Sequence, residues 1–409
     1  MSDLWTVDPR EALRAGEELD LDSLDRASTP GFTGDKAAAE TLTAERGKLL
    51  SELQERLFAN GRAGGKRNVL VIIQGLDTAG KGGIVRHVMG MVDPQGVALR
   101  SFGVPTAEER SHHYLWRIKK ALPKPGLIGV FDRSQYEDVL VVRVDNLVDQ
   151  DVWEPRFAEI NRWERTLVNG GTTVLKFALM PSYDEQARRL MERIDRPDKR
   201  WKYSTGDLGT RSKWDQFQEA YADVFRRTST EHAPWYVLPA DRKWYPRLAI
   251  TEILTRALIE MELKWPRVRW SPDVQRRRLA KTMSPELYAE SVAETAGIVQ
   301  KSIDASMDVS LEAAELRDAH ADDATRESAI AAIESRRAEL EADLATTLED
   351  KQALLEEMAP DLAAATAATI PASADAIAVD EKVKDKAAKK SKKKDDSKKT
   401  KKKGKKDKK

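Results

Sequence analysis

The chain has no cysteine, so disulfides and thiolate metal sites are excluded and a reducing compartment, the cytoplasm, is the expected setting. Histidine is also scarce: the five present are too scattered for a zinc site. No apolar run approaches the ~18 residues of a membrane span, and no basic-plus-apolar leader follows Met1, which argues against insertion and secretion. Overall charge excess is missing too, with a formal value of +1 over 409 residues. That balance hides a division: the last 29 residues, from Glu381, hold 17 lysines against 5 acids, leaving +12 there and −11 in the remainder.

The lysine blocks of residues 381–409 lack any apolar period, so they cannot bury enough surface to offset chain entropy, and a disordered basic tail is expected. Residues 361–380, rich in Ala, Thr and Ser and interrupted by Pro371, read as a linker. Residues 269–360 read as a helical appendage. Within it Ile333, Leu340, Leu344, Leu348 and Leu354 recur at helical spacing, as one or two amphipathic helices need for a coiled-coil partner or for the parent domain.

Residues 1–268 carry the pattern of a compact α/β domain. Apolar runs at Val69–Ile73, Val97–Phe102, Leu127–Phe131, Val174–Leu179 and Tyr236–Leu238 predict five parallel strands. Between them, helices are predicted over Lys81–Met91, Ala107–Ala121, Glu137–Leu147, Trp153–Asn169, Tyr183–Ile194, Lys213–Arg227 and Tyr245–Leu263. The fold class expected is three-layer α/β/α, with ligands at the carboxyl ends of the strands.

The first strand runs into Gln74-Gly-Leu-Asp-Thr-Ala-Gly-Lys-Gly-Gly83 and then a helix. Gly75, Gly80, Gly82 and Gly83 let backbone N–H groups approach a phosphate chain, while Lys81 and the helix start supply positive charge. The hydroxyl residue that usually follows the lysine and serves a metal is missing, because Gly82 stands there. Asp77 is the substitute carboxylate for a hard cation; alternatively it only caps the helix after the loop.

The third strand ends in Phe131-Asp-Arg-Ser134, placing Asp132 as a second acid beside the loop, or as a cap for the turn from Ser134. Two carboxylates sharing metal next to fixed cations suit phosphoryl transfer. Arg133 is positioned to grip either substrate. The basic stretch Arg188–Lys202 and the following loop Ser204–Thr210 read as a lid, about 183–215, that closes over phosphates.

On these residues the chain resembles the family-2 polyphosphate kinases, a branch of the P-loop kinases related to thymidylate kinase. The likeness extends over about Leu4 to Trp265. It is carried by the loop just quoted, Asp93-Pro-Gln-Gly96, Leu115-Trp-Arg117 with Leu122-Pro123, Phe131 to Ser134, Tyr136-Glu-Asp138, Arg193 to Lys202, and Thr228 to Tyr245. The resemblance implies a P-loop kinase fold with a helical lid, moving phosphoryl groups reversibly between inorganic polyphosphate and nucleotides. It implies that Asp77 and Asp132 bind magnesium, with manganese as an alternative, that Lys81 cradles phosphates, and that Arg133 and Arg193 orient them. Lys199 and Lys202 then belong to the lid, and Arg86 and Arg117 face the same crevice.

Glu137 resembles the subgroup acting on both AMP and ADP, since relatives restricted to one acceptor tend to carry Asn there. His113 and Gln135 depart from the family pattern in the region read as the acceptor pocket. The partners expected are polyphosphate, nucleotides and further copies of the chain in a homo-oligomer, with no membrane and with nucleic acid only through the tail. The competing readings are an ATP-dependent nucleoside monophosphate kinase and a polyanion-binding scaffold with an idle P-loop domain.

Overall fold

Asn68–Gln74 (β1), Val97–Ser101 (β2), Ile128–Asp132 (β3), Thr172–Met180 (β4) and Trp235–Pro239 (β5) form one parallel sheet in the order β2-β3-β1-β4-β5. A computed structural model describes residues 4–318 and 321–367; the basic tail and most of the expected linker lie outside the described residues. Every residue of β1 is buried, as its unbroken apolar run requires of a strand covered on both faces. In register, Ile73 pairs with Asp132 of β3 and with Phe177 of β4, which fixes where the chain leaves the sheet.

Alternation along the strands assigns the two faces. Leu70, Ile72, Val174, Ala178 and Val237 pack with Phe157, Ile160 and Trp163 of the helix Arg156–Asn169 and with Phe217, Tyr221 and Phe225 of the helix Trp214–Thr228. A second helix pair, Lys36–Arg62 against Trp244–Ile259, contacts the sheet through β4 and β5. The 36–62 helix was not anticipated. Asp35 caps it by accepting from the Ala38 N–H at 2.9 Å, and Ala39, Leu42, Leu49, Leu50, Leu53 and Leu57 form its buried stripe. Arg46 of this helix donates to Glu252 of its partner at 2.9 Å, both out of solvent.

Several expected helices are shorter. The span 107–121 divides into Ala107–Arg110, opened by a Thr106/Glu109 capping box, and Leu115–Lys120. The span 137–147 becomes a 3-10 turn at Gln135–Asp138 and the helix Val141–Val144. The expected loop Ser204–Thr210 is corrected over Gly206–Ser212, which is helical.

The chain divides into two units, Met1–Arg267 with Leu311–Glu327, and Val268–Ser310 with Ser328–Lys409. In the second, residues 285–310 and 328–358, the greater parts of the helices Pro285–Arg317 and Asp323–Met358, run antiparallel. Ile303 and Met307 meet Leu344 and Leu348, while Tyr288 and Val292 meet Leu355. The leucine stripe read from the sequence is thus covered by a neighbouring helix of the same unit. The linker expectation is corrected at its start, where Pro360–Ala367 is a helix with Ala363 buried. Among the described residues, no helix is long and apolar enough to cross a membrane.

Candidate active site

The loop between β1 and the helix Lys81–His87 is built on positive φ: Gly75 at +154°, Thr78 at +66° and Gly80 at +118°. A Cβ on Gly75 would stand 2.8 Å from both the Ala79 Cβ and the Leu179 carbonyl oxygen, so this turn needs glycine for space as well as conformation. Gly82 and Gly83 lie in the first turn of the helix that follows. Lys81 folds back across the loop, its Nζ donating to the carbonyls of Gly75 at 2.7 Å and Leu76 at 3.4 Å.

The helix-cap alternatives fail at both acids. Gly80 occupies the N-cap of the 81–87 helix with no side-chain bond, so Asp77 does not cap it. Ser134 caps the Gln135–Asp138 turn, accepting from the Tyr136 N–H at 3.3 Å, so Asp132 is not used there either. Instead the Arg133 Nη2 donates to Asp77 Oδ1 at 3.0 Å, joining the end of β3 to the phosphate loop. Arg133 itself takes φ +66°, and its N–H donates to the Ile73 carbonyl at 3.0 Å.

Charge shows which side chains share the space. Burial and then the Arg133 charge lower the Lys81 ammonium, while Asp132, Asp77 and Glu137 pull it back up. The Glu137 carboxyl is raised by burial, against the opposing pull of Arg133, Lys81 and a hydrogen bond from Gln74. Oriented to satisfy both neighbours, the Gln74 amide donates to Glu137 Oε1 at 2.9 Å and accepts from Ser134 Oγ at 3.1 Å. Asp77, Lys81, Asp132, Arg133 and Glu137 therefore form one electrostatic cluster at the carboxyl ends of β1 and β3.

Asp77 and Asp132 offer hard oxygen donors, which suit a hard divalent cation. Among the described residues no group of three acidic, histidine or cysteine side chains converges. Two carboxylates fit a cation that completes its coordination with water and phosphate oxygens, and they do not make a closed protein cage.

The helix Tyr183–Asp195, where the expected lid begins, reaches this cluster with residues that sequence reasoning passed over. Gln186 Nε2 donates to the Asp77 carbonyl at 3.3 Å, and the buried Arg189 Nη1 donates to the carbonyls of Thr78 at 3.0 Å and Ala79 at 3.1 Å. Arg193, one turn on, donates to Asp207 Oδ2 at 3.4 Å and to the Lys202 carbonyl at 3.2 Å. Asp207 is raised by burial and by the Asp77 charge, which brings its carboxylate into the field of the cluster. Tyr221, buried, feels Glu137, Arg133 and Asp77 and is also raised, chiefly by desolvation. None of Gln186, Asp207 and Tyr221 has a sequence signal of its own. Arg189 was visible only as part of a basic run.

Other expected residues are engaged elsewhere. The Lys199 ammonium bonds Glu192 at 2.7 Å and draws that carboxyl down to about 2. The Lys202 Nζ lies 4.9 Å from the Trp201 ring centre. Arg86 is exposed on the 81–87 helix, with no ion pair among the described residues. Arg117 is not gathered with Lys81. It is buried, donates to the Gly103 carbonyl at 2.9 Å, and stands 3.7 Å from Glu109 and 3.9 Å from Asp138. Asp138 also accepts from Arg156 at 3.4 Å. The two acids of Tyr136-Glu137-Asp138 thus serve different cations.

The departures at His113 and Gln135 also resolve. His113 Nε2 lies 3.1 Å from Glu159 Oε1. Gln135 is fully buried and donates to Glu164 Oε1 at 2.9 Å, which puts it in the core and corrects its reading as part of the acceptor pocket.

The unit that carries the sheet has counterparts among known proteins. The family model for polyphosphate kinase 2 matches residues 34–266. The AMP/ADP-polyphosphate phosphotransferase of Meiothermus ruber is 46% identical over 248 residues, spanning 61% of this chain and 91% of the relative. The ADP-polyphosphate phosphotransferase of Rhodopseudomonas palustris is 38% identical over 263 residues, spanning 61% and 89%. The crystal structure of polyphosphate kinase 2 from Arthrobacter aurescens superposes with a TM-score of 0.66 at 48% identity, covering 68% of this chain and 98% of that one. With a sheet, phosphate loop and acid pair in place and more than half its length matched, the chain belongs to the polyphosphate kinase 2 family.

Proposed function

We propose that the protein transfers the terminal phosphoryl group of inorganic polyphosphate to AMP and ADP, giving ADP and ATP, and that the reaction runs in either direction. The convergence of Asp77, Lys81, Asp132, Arg133 and Glu137 at one end of the sheet carries this reading. An oxygen of the acceptor phosphate attacks the terminal phosphorus of the chain; one P–O bond forms as the bridging P–O bond breaks, and the shortened polyphosphate leaves. Both reactants are anions, and each pair of like unit charges at ~4 Å costs about 4 kcal/mol at an effective dielectric near 20. Positive charge must therefore be fixed in advance.

Lys81 and Arg133 supply it beside the loop, with the backbone N–H groups of Gly80 and Gly82 offered to the phosphates; the Gly83 N–H is spent on the Gly80 carbonyl at 2.8 Å. Arg193, Lys199 and Lys202 supply it from the lid on closure, exchanging their present partners for phosphate oxygens. Asp77 and Asp132 would hold magnesium, or manganese in its place, which when bound neutralises phosphate oxygens. Arg117 and Arg86 serve the acceptor side, and Glu137 faces the acceptor from beside Lys81 and Arg133. The names of the two relatives support AMP and ADP as acceptors.

Incubation with AMP, ADP, GMP or GDP and either polyphosphate or ATP, followed by separation of the nucleotides, tests the proposal. Polyphosphate alone should convert AMP and ADP. Phosphorylation of AMP with ATP only would favour a nucleoside monophosphate kinase.

A further inference from the structure

Lys176 lies in β4, in the middle of a face otherwise made of Val174 and Ala178, and it is wholly buried. Its three ammonium protons are all accounted for: the Nζ donates to Glu164 Oε2 at 2.7 Å, the Thr228 carbonyl at 2.8 Å and Tyr136 Oη at 2.9 Å. Glu164, equally buried, accepts at its other oxygen from Tyr136 Oη at 2.8 Å and from Gln135 Nε2 at 2.9 Å. Trp235 closes the cluster, its ring 4.7 Å from that of Tyr136 and its Nε1 donating to Thr228 Oγ1 at 2.9 Å.

A buried ion pair is poor value as a source of stability, because packed apolar side chains of the same volume do as well or better. What it does supply is direction. Two consecutive residues of the four-residue turn Gln135–Asp138 are bonded to one carboxylate, so the turn has a single register against the helix Arg156–Asn169, and the Lys176 bond to Tyr136 Oη ties it to β4. The next residue of that turn is Glu137, which leaves the opposite way, toward Gln74 and the Lys81–Arg133 cations.

We infer that the buried Lys176–Glu164 pair is a positioning device for the acceptor-side carboxylate Glu137, acting through the Tyr136 hydroxyl. The inference rests on the reading of Glu137 as part of the phosphoryl-transfer site. Displacement of the turn by a fraction of an ångström moves Glu137 relative to Arg133 and Lys81 without touching the phosphate loop. The effect belongs to the acceptor and not to the polyphosphate donor.

The test is a double-mutant cycle of Tyr136→Phe and Glu137→Gln, with kcat/KM measured for AMP and ADP at saturating polyphosphate and KM measured for polyphosphate. Tyr136→Phe alone should lower acceptor kcat/KM by about tenfold to a hundredfold, the scale of a small misplacement, and leave the donor KM within about twofold. In the Glu137→Gln background the same substitution should add almost nothing, because its route of action has been removed. Multiplicative effects of the two substitutions, or wild-type acceptor constants for Tyr136→Phe, would overturn the inference. If Tyr136→Phe does not fold, Gln135→Met replaces it in the same cycle. A wild-type enzyme that does not use polyphosphate at all would refute the site's proposed function, a failure visible before any variant is compared.

Discussion

Arg133 and Asp77 belong to turns that follow different strands, yet the guanidinium Nη2 stands 3.0 Å from the carboxylate Oδ1. This pair ties the mouth of β3 to the phosphate loop and sets, beside Lys81, a second cation that both acids feel. The planar fork of arginine can hold Asp77 and a phosphate oxygen together, which an ammonium at the end of a flexible stem cannot. Arg133→Lys should therefore cut kcat by about a hundredfold, the scale of losing one transition-state donor, with an unchanged circular dichroism spectrum. A variant within a factor of two of wild type would show that Arg133 has no such role.

Two glycines of one loop should answer differently to the same change. Gly75→Ala sets a methyl group 2.8 Å from the Leu179 carbonyl oxygen and should cost roughly 1–3 kcal/mol in urea unfolding. Gly82 has nothing within 4 Å of its would-be Cβ, and Gly82→Ala should stay within about 0.5 kcal/mol of wild type. Equal losses would mean that the loop is not packed as described.

Glu137 makes a stability test by pH. Burial raises its carboxyl above the ordinary 4.5, so the folded protein holds this proton more tightly than the unfolded chain. Its contribution is then fully present below 4.5 and is lost as pH rises through the raised value. Glu137→Gln lacks that loss, so its thermal midpoint relative to wild type should climb between pH 4.5 and 8. A difference that stays constant across this window would contradict the buried, raised carboxyl.

Away from the chemistry, Glu252 is fully buried, with Arg46 at 2.9 Å and Arg256 at 3.7 Å. Glu252→Ala takes the shared carboxylate from two guanidinium groups between the 36–62 and 244–259 helices, leaving Arg46 with Glu312 and Arg256 with Asp8. The expected loss is about 1–3 kcal/mol by chemical denaturation, the scale of losing a buried hydrogen-bond partner, and a loss under about 0.5 kcal/mol would mean that water reaches the pair.

These outcomes bear on how far the sequence alone was legible. All five strands were found within two residues of their ends, because a parallel strand covered on both faces must be a continuous apolar run. Asp132 was legible because it directly follows such a run, and Asp77 because it lies in the glycine-bracketed loop that the first run enters. The 36–62 helix was legible and overlooked, since Leu42, Leu49, Leu53 and Leu57 recur at helical spacing. Lys176 was a different case. Inside the run Val174–Leu179 it is one polar residue in a strand, and its partners Glu164 and Tyr136 become partners only through the packing of distant elements. Arg117 likewise owes its burial to Gly103, Glu109 and Asp138, which no local pattern specifies.

The central claim is that Asp77 and Asp132, with Lys81 and Arg133 beside them, allow two anions to meet at the end of the sheet. Formation of ADP from AMP and polyphosphate by Asp77→Asn, beside wild type and in the absence of ATP, tests it most directly. The account predicts robust turnover by wild type and a fall of several orders of magnitude in the variant, with an unchanged thermal midpoint to within a few degrees. A folded Asp77→Asn enzyme that still turns over at close to the wild-type rate would contradict it.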